Sequence, residues 1–139
     1  MRVRDVMTPD PFTVGEIDTL YTAASRMAER NCRRLPVLDR DRQLIGILTD
    51  RDIRLAVNSP LVLRERWQDD MLLKNTIVEA CMTPDPITVA PDAPLIEAVE
   101  LMLRYKIGGL PVVEGRHVVG IVTVNDLLQA LQVLLEAED

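Results

Sequence analysis

Met7-Thr8-Pro9-Asp10-Pro11-Phe12-Thr13-Val14 returns 75 residues later as Met82-Thr83-Pro84-Asp85-Pro86-Ile87-Thr88-Val89. Working outward, residues 3–38 align without a gap on 78–113, and 14 of those 36 positions are identical, where composition gives about two or three. Leu35-Pro36-Val37 recurs as Leu110-Pro111-Val112 in the same register. Gly46-Ile47-Leu48-Thr49-Asp50-Arg51-Asp52 recurs as Gly120-Ile121-Val122-Thr123-Val124-Asn125-Asp126, now at an offset of 74. The slip falls where Asp39-Arg40-Asp41-Arg42 faces the shorter Glu114-Gly115-Arg116. Turns absorb length changes, so the slip marks a hairpin. The chain is a tandem duplication, with copies at 1–58 and 78–139 and a linker at 59–77.

Each copy carries the same local signals. Thr-Pro-Asp-Pro is extended, because proline fixes its own φ and holds the preceding residue out of the helical region. A short β run follows at Phe12-Thr13-Val14 and at Ile87-Thr88-Val89. Leu20, Ala23, Ala24, Met27 and Ala28 keep the spacing of one helix face, as do Leu95, Ala98, Val99, Met102 and Leu103. Asp18 is placed to cap the first of these helices, and Pro94 sits at the first turn of the second. Strands are expected at 34–38 and 43–48, then at 110–113 and 117–122, with a closing helix from Asp50 and from Val124. The fold class is mixed α/β (α+β): β-α-β-β-α, twice. Each copy alone is too small to bury a self-sufficient core, so the two are expected to pack about a pseudo-twofold axis, leaving related clefts lined by strand ends and helix starts.

Composition narrows the function. The chain has 139 residues and 47% apolar content, enough for a core. Phe12, Tyr21, Trp67 and Tyr105 are its only aromatics, so a base-stacking surface is not expected. The net charge of -6 disfavours nucleic acid. That charge is uneven: residues 1–58 sum to +1, 59–77 to 0 and 78–139 to -7, so an anion site should lean on the first copy. No apolar run approaches the roughly 20 residues of a membrane span. The opening Met1-Arg2-Val3-Arg4-Asp5-Val6 lacks the apolar stretch of a signal peptide, and the expected location is cytoplasmic. Cys32, Cys81 and His117 supply no four-ligand zinc set and no catalytic pair. No glycine-rich phosphate loop is present. The expectation is no enzyme, no metal and no required cofactor.

The three motifs in fixed order, present twice, resemble a tandem pair of cystathionine beta-synthase (CBS) domains, the Bateman module, in stand-alone form. The resemblance runs from residue 3 to about residue 134, leaving the linker uncovered. It implies a regulatory module that binds adenosine-containing ligands (AMP, ADP, ATP or S-adenosylmethionine) between its copies and passes binding on as a conformational change. It also implies a homodimer, parallel or antiparallel, and a regulated protein partner. The alternative is an interaction module with vestigial ligand sites that docks an enzyme or transporter.

Thr49 with Asp52, and Thr123 with Asp126, carry the spacing of a capping box, in which hydroxyl and carboxylate satisfy free backbone N–H groups at a helix start. The resemblance implies that Asp52 and Asp126 hold a ribose and that the threonines contact ribose or phosphate; the two roles can coexist. A helix start also offers unpaired N–H groups and a positive dipole end to phosphate. Arg33 and Arg34, at the entry of a strand, are either solvated or neutralise phosphate through charge-assisted hydrogen bonds, and Arg51 can add charge. Gly108 and Gly109 occupy the places of Arg33 and Arg34 in the second copy, so one site or two unequal sites are expected. Thr13 and Thr88 fit a β run, and the resemblance places that segment along an adenine pocket whose apolar walls would be Pro36, Ile47, Pro111 and Ile121. The closing helix carries Leu127, Leu128, Leu131, Leu134 and Leu135, a stripe wide enough to reach a second subunit. Linker residues Trp67, Met71, Leu72 and Leu73 extend that surface or cover a cleft.

Overall fold

The computed structural model describes residues 1–57 and 66–139, the side chains of 66 and 67 excepted; most of the first half of the linker, and the reading of Trp67, lie outside the described residues. The elements run α1 (Val3–Val6), β1 (Thr8–Pro9), β2 (Val14–Gly15), α2 (Leu20–Arg30), β3 (Arg34–Leu38), β4 (Leu44–Thr49), α3 (Asp50–Val57), α4 (Arg66–Asn75), a 3-10 turn (Val78–Ala80), β5 (Thr83–Pro84), α5 (Leu95–Tyr105), β6 (Gly109–Glu114), β7 (His117–Thr123) and α6 (Val124–Glu138). They form a four-stranded sheet ordered β2-β3-β4-β5 and a three-stranded sheet ordered β1-β7-β6.

The compact units do not follow the copies. One unit comprises 12–85; the other joins 1–11 to 86–139. In the first, β5, which opens the second copy, pairs antiparallel with β4 through Gly46↔Pro84 and Ile47↔Thr83. In the other, β1, which opens the first copy, pairs with β7 through Thr8↔Ile121 and Pro9↔Gly120. Each Met-Thr-Pro run thus completes the sheet of the opposite copy. The prolines sit where they can, because these two-residue strands lie at sheet edges. Asp10 and Asp85 both take φ of 47°, a conformation that aspartate tolerates better than most residues.

The 12–85 unit buries Val14, Leu20, Ala23, Met27, Leu35, Val37, Leu48, Ile53 and Val78 as one cluster. Leu20, Ala23 and Met27 are the inner face of α2, and Leu35 and Val37 lie on β3, a strand buried along most of its length. Val78 enters from the 3-10 turn of the second copy. The other unit repeats the arrangement with Val3, Val89, Ala98, Met102, Leu110, Val112 and Val122. Here Val3, on α1 of the first copy, takes the place that Val78 holds in its counterpart. Burial of one such side chain contributes roughly 1.5–3 kcal/mol, so the exchanged segments are part of each core.

Some local readings change. Thr19, not Asp18, caps α2: its side chain accepts from the Thr22 N–H at 3.2 Å. Asp18 instead accepts from the Gly15 N–H at 2.7 Å, one turn too early for the helix. The β run at 12–14 narrows to Val14–Gly15, because the Thr13 carbonyl accepts from Arg26 Nη1 at 2.7 Å rather than from a strand. The run at 87–89 reduces to a single bridge, Val89↔Val112, because the flanking Pro86 and Pro91 have no N–H to donate. The hairpins stand where the length slip put them, β3 against β4 and β6 against β7.

Candidate functional site

The strand-to-helix junctions carry the chemistry. In the 12–85 unit the Thr49 N–H donates to Asp52 Oδ2 at 2.9 Å, and the Asp52 N–H donates to Thr49 Oγ1 at 3.1 Å. This reciprocal pair satisfies two donors at the start of α3 and fixes both side chains. Thr49 lies opposite Arg34 in the β3–β4 register, and the Asp50 N–H donates to the Arg33 carbonyl at 2.9 Å. Arg33, Arg34, Thr49 and Asp52 are therefore brought to one edge of one sheet. Arg33 and Arg51 are exposed; Arg54 is tied to Asp50 at 2.9 Å, one turn apart on α3.

Arg34 is the unusual group. It is half-buried, and among the described residues its guanidinium makes no hydrogen bond or ion pair. Burial pulls its guanidinium below the usual arginine range; Asp50 opposes that shift and neighbouring Arg33 adds to it. A partly desolvated cation whose side chain has no hydrogen-bonded acceptor, with Asp50 only partly offsetting its burial, is costly until something anionic completes it.

Thr13 and Pro36 stand further along the same sheet. The residue after Thr13, Val14, pairs with Val37, and Arg26, bonded to the Thr13 carbonyl, fixes that edge. Pro36 is fully buried and faces Ile47 across the β3–β4 ladder; Ile47 is half-buried. Cys81 feels Asp52: burial pushes its thiol up, and the Asp52 carboxylate pushes it further.

The junction in the other unit is built the same way and finished differently. The Thr123 N–H donates to Asp126 Oδ2 at 2.8 Å and the Thr123 hydroxyl donates to the same oxygen at 3.1 Å. Asp126 Oδ1 accepts from the Thr8 hydroxyl at 3.3 Å. Both carboxylate oxygens are engaged, and Asp126 is 9% exposed, against one described bond and half-burial at Asp52. Gly109 lies opposite Thr123 where Arg34 lies opposite Thr49, and the Val124 N–H donates to the Gly108 carbonyl at 3.0 Å, so the backbone is conserved between the copies while the cationic side chains are not. Thr88 is half-buried beside bridged Val89; Pro111 is fully buried opposite Ile121, itself 8% exposed.

Thr8 and Arg26 escaped the sequence reading. Thr8 was visible as an identity with Thr83, but nothing local says that it reaches a residue 118 positions away. Arg26 had a signal in the copy comparison, since Leu101 stands in its place. Among the described residues no cluster of His, Cys, Asp or Glu could hold a metal ion, and no helix is long and apolar enough to cross a membrane.

Comparison with known proteins agrees with this architecture. Residues 3–59 and 78–133 each match the CBS domain. A CBS domain-containing protein of Dictyostelium discoideum is 38% identical over 136 residues, covering 96% of this chain and 93% of that one. The CBS domain pair of protein MJ0100, solved in complex with 5-methylthioadenosine and S-adenosyl-L-methionine, superposes with a TM-score of 0.79 at 29% identity, covering 95% and 96% of the two chains. CBSX2 in complex with AMP gives 0.79 at 26% identity, covering 95% and 97%.

Proposed function

This chain belongs to the CBS domain family, as a tandem pair, and from that premise we propose that it is a regulatory sensor of an adenosine-containing ligand. Arg34 carries the reading: a half-buried guanidinium without a described partner, set opposite Thr49 and next to the start of a helix. Arg33 and Arg34 would take phosphate, with Arg51 adding field. Asp52 has spare acceptor capacity for the ribose hydroxyls, and the edge carrying Thr13, Pro36 and Ile47 would receive the base. The reading has no catalytic step and needs no metal or cofactor.

The junction holding Thr123 and Asp126 is the weaker site. Its carboxylate is already occupied by Thr123 and Thr8, and glycines replace the arginines. A ligand that lacks phosphate fits it better than AMP, with Thr88, Pro111 and Ile121 as the walls on its side. Ligand binding then shifts the protein between two states by no more than its differential affinity for them. A second copy of the chain is the structural partner in this reading, a separate protein receives the signal, and the setting is cytoplasmic.

Thermal unfolding with AMP, ADP, ATP and S-adenosylmethionine tests it. A ligand at 100 times its Kd adds about 2.7 kcal/mol, about 8–11 °C for a chain of this size. Asp52→Ala is expected to abolish the shift with nucleotides. A shift lost only in Asp126→Ala moves the principal site to the other unit. No shift with any of the four leaves the docking module with vestigial sites as the better account.

A further inference from the structure

Two thioethers seat the exchanged strands. Met82 immediately precedes β5 and Met7 immediately precedes β1, and each rests its sulfur against a glycine of the opposite copy. Met82 Sδ lies 2.5 Å from where a Cβ on Gly46 would stand, and Met7 Sδ lies 2.5 Å from where one on Gly120 would stand. Each sulfur thus fills the space that a side chain on β4 or β7 would take. Met82 also packs on the buried cluster of the 12–85 unit, and Met7 packs on that of the other.

The same two sulfurs are within reach of solvent. Met7 and Met82 are half-buried, and the chain's other four methionines fall to either side of them. Met1 and Met71 are 60% and 53% exposed and belong to neither buried cluster, whereas Met27 and Met102 are core residues, 6% and 5% exposed. The exposed pair has little packing to lose, and the core pair is shielded. Among the six, Met7 and Met82 alone combine access with a packed position against a strand.

That combination suits oxygen transfer from a peroxide. A lone pair on the thioether sulfur attacks one peroxide oxygen, the O–O bond breaks, and hydrogen peroxide leaves as water; the sulfur is oxidised by two electrons and the peroxide reduced by two. The sulfoxide is polar and chiral and no longer suits an apolar contact. Reduction by a dithiol reverses the step: two thiols become a disulfide and the oxygen departs as water.

The effect has a short path to the junctions. Gly46 stands three residues before Thr49 on β4, and Gly120 three before Thr123 on β7. Met7 is followed directly by Thr8, whose hydroxyl donates to Asp126 Oδ1 at 3.3 Å, so displacing β1 removes that bond. We propose that Met7 and Met82 form a reversible oxidation site, through which a peroxide loosens β1 and β5 from the opposite copy's sheet and a thiol-dependent sulfoxide reductase restores them. This input is separate from ligand binding and does not rest on it.

Treatment of the full chain with hydrogen peroxide tests the proposal, in a Cys32→Ala, Cys81→Ala background that removes the thiols as competing targets. Samples taken over time are mapped by peptide mass spectrometry and melted by circular dichroism. Met1 and Met71 should oxidise first without moving the Tm. Met7 and Met82 should follow, roughly tenfold faster than Met27 and Met102, and the Tm should fall with them by about 4–8 °C. Methionine sulfoxide reductases for both sulfoxide epimers, with dithiothreitol, should restore the two sulfurs and the Tm together. Met7→Leu with Met82→Leu, a volume-conserving pair of changes, should keep its Tm through the same treatment. Oxidation of Met7 and Met82 no faster than that of Met27 and Met102 overturns the proposal. So does a chain oxidised at both positions that melts within about 1 °C of the untreated one, or a leucine variant that loses as much Tm as the methionine protein. Failure of the reductases to restore the Tm overturns its reversibility.

Discussion

Gly46→Ala measures how tightly the exchanged strand is built in. A Cβ at Gly46 would stand 2.5 Å from Met82 Sδ and 3.0 Å from the Thr83 carbonyl oxygen. The thioether can swing away for about 0.5–1.5 kcal/mol of rotamer strain. The carbonyl cannot, because it belongs to β5, whose backbone is fixed by its pairing with β4 and by the Met82 and Asp85 N–H bonds on either side. Overpacking of this kind costs about 1–3 kcal/mol, and alanine returns about 0.4–1 kcal/mol by restricting the unfolded chain. The net loss is about 1–2 kcal/mol, or a Tm lower by about 3–8 °C. Gly120→Ala is the internal replicate, since its Cβ would meet Met7 Sδ at 2.5 Å and the Thr8 carbonyl at 3.0 Å. Scanning calorimetry of both variants, and of Gly46→Ala in a Met82→Ala background, reads the effect. The alanine should cost less once the methionine is gone. If both single variants melt within 1 °C of wild type, the Met-Thr-Pro runs do not pack on the opposite copy's strand.

Other outcomes follow from the same geometry. Residues 1–57 expressed alone should be unfolded by circular dichroism and NMR, because they lack Val78, β5 and the partner sheet of β1; a dispersed amide spectrum refutes the exchange. Arg34→Gln should leave the ligand-free Tm unchanged or raised, while weakening nucleotide binding by about tenfold to a hundredfold in calorimetric titration, the loss of a charge-assisted bond of about 1.5–3 kcal/mol. Equal affinity for wild type and variant removes Arg34 from the site. The Cys32 and Cys81 thiols are both pushed up by burial, so they should react with a disulfide reagent at pH 8 more slowly than free cysteine. Their raised values also set a sign. Between the ordinary thiol pKa, about 9, and the higher folded value, the unfolded chain releases protons that the folded one keeps, so this contribution to stability is full below about pH 9 and falls above it. The double Cys→Ala protein should lose less stability there than wild type.

Much of the fold was legible because the sequence states it twice. Hairpins, helix starts and the inner helix faces were each read from two independent copies, and one length slip located both turns. The exchange of β1 and β5 was not legible, since a pattern search sees Met-Thr-Pro recur but not which sheet it joins. Pairing partners 113 residues apart, Thr8 and Ile121, leave no local trace. The cap of α2 was misread because Asp18 and Thr19 are both good capping residues, and only the backbone decides which stands at the boundary. The Thr-x-x-Asp pairs were legible as chemistry, whereas the difference between them was not: it depends on a hydroxyl delivered by the exchanged strand.

On the proposed reading, that difference suits the two units to different tasks. Duplication first produces two equal junctions, each with a helix start, a hydroxyl and a carboxylate. The 12–85 unit carries Arg33, Arg34 and the Arg26 brace, and leaves Asp52 with acceptor capacity to spare. The other unit has glycines in place of those cations, engages Asp126 with Thr8 and Thr123, and has Val124 and Leu128 where α3 has the Asp50–Arg54 ion pair. The residues that would attract an anion lie on one unit, and those suited to meeting another helix lie on the other. A sensor needs both an input and an output surface, and a ligand changes the output only if it binds the alternative states unequally. Thr8, from the first copy, bonds Asp126 at the base of α6, so Thr8→Val separates the alternatives. If the exposed leucine stripe of α6 is coupled to that junction, losing this bond should change the dimerisation constant while leaving nucleotide affinity at Asp52 intact; if dimerisation is unchanged, the signal leaves by another surface.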